Sequence, residues 1–142
     1  PFAGLPPQAD VELSAAAIDT MTAGLLDEYQ AWAVYQAVIN QFGAVNPFVN
    51  IQRAEAQHIA AWETLFERYG VALPAAPAVP DLTFASLADA CQTAAAAEIA
   101  NFGLYDTMLN TLANYPDMIQ VVTALRDASQ YHHLPAFEQC AG

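Results

Sequence analysis

The stretch Asn50-Ile51-Gln52-Arg53-Ala54-Glu55-Ala56-Gln57-His58-Ile59-Ala60-Ala61-Trp62 decides how the rest of the chain is read. Glu55 and His58 are three residues apart, so on a helix they share one face. Working outward, Phe48, Ile51, Glu55, His58, Trp62, Leu65 and Tyr69 recur in alternating steps of three and four, the period of a helix buried along one seam. The ionisable pair therefore falls on the apolar seam and not on the wet face. Buried charge is costly unless it is paired or ligates a metal, so the same pattern predicts a helix and a site.

Asn46-Pro47 opens this helix and Gly70 closes it. Upstream, Ser14 is an N-cap for a helix ending at Gly43, with the seam Met21, Leu25, Glu28, Trp32, Tyr35, Ile39 and Phe42. Downstream, Val71 to Ser86 holds Pro74, Pro77 and Pro80 and reads as extended. Such a linker reaches roughly 50 Å, against about 42 Å for a bundle helix of this length. It is long enough to cross the whole bundle, although plain up-down-up-down order stays open.

A third helix is predicted from Leu87 to Ala113, with Leu87, Cys91, Ala94, Glu98, Asn101 or Phe102, Tyr105 and Leu112 inward. A fourth runs from Pro116 to Cys140, with Ile119, Val122, Arg126, Ser129, His133, Ala136 and Cys140 inward. Pro135 predicts a kink or an end just after His133. Residues 1–13 read as an irregular arm and 14–142 as a single four-helix bundle.

Facing residues in an antiparallel hairpin are equidistant from its turn. Glu98 and His133 are equidistant from the turn at Tyr115 and Pro116, and so are Cys91 and Cys140. Asp106 and Arg126 match to within one residue, which predicts an ion pair. In the first hairpin Glu28 stands level with Glu55 and His58 to within about a turn. Glu28, Glu55, His58, Glu98 and His133 are therefore expected at one mid-height level, drawn from four helices.

That is the pattern of a dinuclear carboxylate centre, which takes a Glu from each of two helices and Glu-x-x-His from the other two. Five of its six groups are present. Gln130 stands three before His133 where a sixth carboxylate would be, and an amide is a poorer ligand. Carboxylate and imidazole together suit iron, manganese or zinc, and the residues do not choose among them. Tyr35, Tyr105 and Tyr131 are candidates to hydrogen-bond the carboxylates. The alternative is a metal-free polar network in which Arg53 and Arg126 join the histidines.

The cysteine pair, level on neighbouring helices, predicts a disulfide and with it an oxidising, secreted or periplasmic location. The chain has 142 residues, 56% of them hydrophobic and only 13% charged, which suggests burial against further subunits in a homo-oligomer. Three arginines, no lysine and a net charge of −12 argue against nucleic acid and anionic membrane surfaces. No apolar run is long enough for a membrane span. The chain begins at Pro1 without Met, which either processing or trimming would leave.

On four stretches the sequence resembles a family of bacterial and archaeal ferritin-like proteins of undefined biochemical role. These are Asp27 to Tyr35, Asn50 to Gly70, Ala97-Glu98 through Tyr105-Asp106, and Leu125-Arg126 through Phe137. The resemblance implies a ferritin-like bundle, two antiparallel hairpins joined by a long crossover, with a metal site. Bound iron with an open position would bring redox chemistry. The competing expectation is a secreted structural subunit that self-assembles into an oligomer or filament, suited by the apolar arm, the proline-rich linker and the scarcity of charge.

Overall fold

A computed structural model describes residues 4–142, so the first three residues of the arm lie outside it. The helices start and stop where local chemistry directs. Helix α1 (Ala15–Phe42) follows Ser14, whose hydroxyl accepts from the Ala17 amide at 3.0 Å and satisfies an otherwise orphaned N–H. Helix α2 (Phe48–Tyr69) ends at Gly70, whose φ of 66° is left-handed. Helix α3 (Leu87–Thr111) is capped by Ser86, which accepts from the Asp89 amide at 3.1 Å. The fourth rod is continuous but built in three pieces: α4 (Pro116–Ala128), a π-helical turn (Ser129–His133) and α5 (Leu134–Ala141). Among the described residues there is no strand, and no helix is long and apolar enough to cross a membrane.

The helix order follows from which ends touch. Gln52 of α2 donates to Gln36 of α1 at 2.9 Å, as an antiparallel hairpin requires. The end of α2 meets the start of α4, where Arg68 donates to Asp117 at 3.0 Å. Phe84, just before α3, is tied back to Gln41 at the far end of α1 by two hydrogen bonds of 2.8 Å. Residues 71–86 thus travel the length of the bundle, and α3 runs parallel to α2 and antiparallel to α1. The arm is strapped to the opposite end. The Tyr69 hydroxyl accepts from the Ala9 amide at 2.9 Å, and the Tyr115 hydroxyl accepts from the Ser14 amide at 3.1 Å.

Pro135 neither ends nor breaks the fourth rod. It has no N–H to give, and its ring would press on the carbonyl four residues back. The wider turn before it relieves this: the Leu134 amide reaches back five residues to the Ser129 carbonyl. The buried stripe of the rod runs through Met118, Val122, Leu125, Ser129, His133 and Phe137. Periodicity also puts Ile119 and Ala136 on that seam, where they are partly buried against the core, and it puts Arg126 there. Instead Arg126 faces outward and pairs with Asp106, the partner that height matching assigned to it, and with Asp127 at 3.2 Å.

Two apolar clusters fill the interior. One gathers Met21, Leu25, Trp62, Leu65, Tyr105 and Met118. The other gathers Tyr35, Val38, Phe48, Ile51, Cys91 and Phe137. Cys91 and Cys140 stand at disulfide distance, with an Sγ–Sγ separation of 2.01 Å across 49 residues of chain. Closing a loop of that size restricts the unfolded chain by about 4 kcal/mol. Reduction, or Cys140→Ser, is expected to lower the unfolding free energy by roughly that much in urea titration.

The first hairpin closes tightly at Gly24. A Cβ there would lie 2.4 Å from the Trp62 ring. In an open helix Gly→Ala stabilises by about 1 kcal/mol. Here the steric term reverses the sign, and Gly24→Ala is expected to cost about 1–3 kcal/mol, as overpacked cores do. Denaturant unfolding monitored by tryptophan fluorescence checks it.

Candidate metal centre

Between the two apolar clusters lies one polar layer. Glu28 is 1% exposed, Glu55 2%, Glu98 2%, His133 5% and His58 7%. The structure brings together all five side chains that the sequence singled out, one or two from each rod. His132, beside His133, is exposed, so the core-facing imidazole of the fourth rod is His133.

Glu55 divides the layer into two halves. His58 Nδ1 lies 3.4 Å from Glu28 Oε2 and 3.2 Å from Glu55 Oε2. His133 Nδ1 lies 3.2 Å from Glu55 Oε1 and 3.3 Å from Glu98 Oε1. One carboxylate thus offers one oxygen to each half. The two imidazole rings are stacked, with centroids 5.4 Å apart and planes 16° from parallel.

Outer groups fix the carboxylates by reciprocal exchange. Tyr35 of α1 donates to Glu98 of α3 at 2.8 Å, and Tyr105 of α3 donates to Glu28 of α1. Each tyrosine is seven residues beyond the glutamate of its own helix, so the two antiparallel helices supply matching halves. Burial and the adjacent carboxylates hold both phenols well above their ordinary pKa, which keeps them as donors. Trp62 Nε1 donates to the Tyr105 oxygen at 3.1 Å and fixes its rotor. Tyr131, the third candidate, is 61% exposed and takes no part. No arginine enters the layer: Arg53 is exposed and Arg126 is engaged outside it.

Protonation follows from crowding. Burial, with the charge of Glu55 behind it, raises Glu28 well above the carboxylate range. Glu55 goes the other way: burial opposes its charge, but contacts from Glu28, His133 and His58 outweigh that and lower it. Burial also opposes charge on the histidines, yet the paired carboxylates push His58 up to about 10 and His133 to about 9.

The layer fits a cation better than it fits itself. Glu28 Oε2, Glu55 Oε2, Glu98 Oε2, His58 Nδ1 and His133 Nδ1 are all buried without a hydrogen-bond partner among the described residues. Native interiors seldom leave such atoms unpaired. Donor atoms held at about 2.1 Å around one ion stand roughly 3.0–3.4 Å from each other, the spacing seen in both halves. Two overlapping groups, Glu28–Glu55–His58 and Glu55–Glu98–His133, are each compact enough to hold a metal ion. Gln130 stands three residues before His133, in the place Glu55 takes before His58, and its buried Oε1 also has no partner.

No family model matches this chain, and no curated protein matches it. The crystal structure of hypothetical protein MJ0754 from Methanococcus jannaschii shares its fold, with a TM-score of 0.84 over 98% of this chain and 85% of that one, at 21% identity. At that identity the likeness is one of architecture.

Proposed function

We propose that this protein is a ferritin-like metal-binding bundle holding two transition-metal ions. Glu28 and His58 would hold one, Glu98 and His133 the other, and Glu55 would bridge them. The observation that supports this reading most is the convergence of buried carboxylate and imidazole atoms that make no hydrogen bond among the described residues. The long crossover and the resemblance of Asn50 to Gly70 to ferritin-like sequences point the same way. Iron, manganese or zinc suits such a donor set, and bound iron would supply one-electron redox chemistry. The protein's own residues orient the site: Tyr35 and Tyr105 hold the outer carboxylates, while the apolar clusters above and below exclude water. The disulfide-distance cysteines support a secreted or periplasmic setting.

Metal analysis of the purified protein, with thermal unfolding before and after chelation, tests the reading. Two ions per chain and a clear fall in Tm on chelation are expected, because an ion at a hundredfold its Kd stabilises by about 2.7 kcal/mol. A Tm that does not move with added Fe2+, Mn2+ or Zn2+ would sink it.

A self-assembling structural subunit is the second reading. Leu73, Val79 and Leu82 of the crossover, with Val11 and Ile99, leave large apolar side chains exposed and favour it. Light scattering across a dilution series decides, since a monomer at every concentration excludes assembly.

A further inference from the structure

The five ligands are buried, so an ion needs a way in, and the structure offers one between α1 and α3. A cavity of about 60 Å³ opens there. Its rim carries exposed Gln30 and Ala97, and its depth reaches Tyr35, Glu55 and Glu98. Glu28, His58 and His133 do not line it, so the passage meets the layer at the bridging carboxylate and at Glu98. Such a volume admits a bare or partly hydrated cation and little more.

Asp27 stands in the wall of this passage, half-buried, outside the two ligand groups. It is held by Asn101, whose side-chain amide donates to Asp27 while its oxygen accepts from Ser129 at 2.5 Å. Ser129 begins the π-helical turn that ends in His133. A single hydrogen-bonded chain thus runs from the passage wall to the segment carrying a ligand. An oriented carboxylate between bulk water and the inner carboxylates forms a graded path for a positive charge.

We propose that the α1–α3 cavity is the port through which divalent transition-metal cations reach the layer, with Asp27 as the transient ligand along it. This rests on the metal-binding reading above. Ala97 at the rim is small, and a larger side chain there would close the passage without touching a ligand.

The test is stopped-flow uptake of Co2+ by metal-free protein, followed by the visible absorption of the bound ion. Ala97→Phe is expected to slow uptake at least about tenfold, and Asp27→Asn by roughly three- to tenfold, each reaching the wild-type capacity at equilibrium. Asn can still accept from Asn101, so that variant removes the charge and spares the chain. Ala56→Phe, on an exposed position of α2, serves as control and should load at the wild-type rate. Wild-type rates in both port variants overturn the proposal, as does slowing by Ala56→Phe instead. Slower uptake with lost capacity also overturns it, because Asp27 and Ala97 would then belong to the site and not to its approach. Wild-type protein that binds no Co2+ would overturn the metal reading itself, whereas normal binding with unchanged rates removes only the port.

Discussion

Replacing Glu55 by glutamine should abolish binding at both halves of the layer at once. Glu55 is the one side chain that both groups share, with one oxygen toward each histidine. Glutamine keeps the length and shape but removes the shared charge and one of the two oxygens, so one ion loses a ligand and the other keeps only a neutral amide oxygen. The expected loss of affinity exceeds a hundredfold or so at each half, beyond the 10–100-fold typical of residues that merely orient ligands. Metal content should fall from two ions per chain to none. His58→Ala, which touches one half, should leave one ion behind. A metal-free polar network predicts otherwise. There Glu55 would compensate two charged imidazoles, and its loss would weaken folding by about 3–5 kcal/mol without changing metal content. Metal analysis of both variants beside wild type separates the two accounts. Glu55→Gln protein that still carries two ions would end the bridging role.

Much of this architecture was legible because its signals are local. Ser14, Gly70, Ser86 and the prolines of 74–80 bound the elements through backbone chemistry that acts within a few residues. Glu28, Glu55, Glu98 and His133 were legible for a different reason: an ionisable group on an apolar seam is energetically out of place, so its position is information. The distance of each from its turn then fixed its height, as it did for Cys91 with Cys140 and for Asp106 with Arg126.

What escaped depends on rotation about the helix axes and on departures from the 3.6-residue period. The exchange of Tyr35 and Tyr105 between helices needs α1 and α3 to be adjacent and antiparallel, and that is set by the route of the crossover. The repeated seven-residue step from Glu28 to Tyr35 and from Glu98 to Tyr105 was a usable signal that single-seam reading passed over. No residue announces the π-helical turn except Pro135, which fits a kink as well. Gly24 carries no chemistry of its own, and only the Trp62 ring facing it gives it meaning. Tyr131 stands two residues, about 200° of helix, from both Ser129 and His133, so it points into water.

Metal affinity should rise steeply with pH across the neutral range. Without a cation, His58 and His133 hold their protons to about 10 and about 9, and Glu28 keeps its own well above the usual carboxylate range. Each of these protons must leave before the atom can bind a metal. Affinity should therefore climb about tenfold per pH unit for each proton displaced, up to three at once near neutrality. Folding of the metal-free protein responds with the opposite sign. All three groups have folded pKa values above their unfolded ones, so the stability they contribute is full at low pH. For Glu28 it is complete below about 4.5 and for the histidines below about 6.5. It is lost as pH rises through the folded values, which for the histidines means about 9 to 10. A cation replaces the protons and removes that loss. The Tm difference between loaded and chelated protein should thus widen from pH 6 to pH 9, while the chelated protein alone weakens. Calorimetric titration with Zn2+ in buffers of different ionisation enthalpy would count the protons released. Uptake that releases none, with an affinity flat across this window, would show that the imidazoles and Glu28 are not where the ion goes.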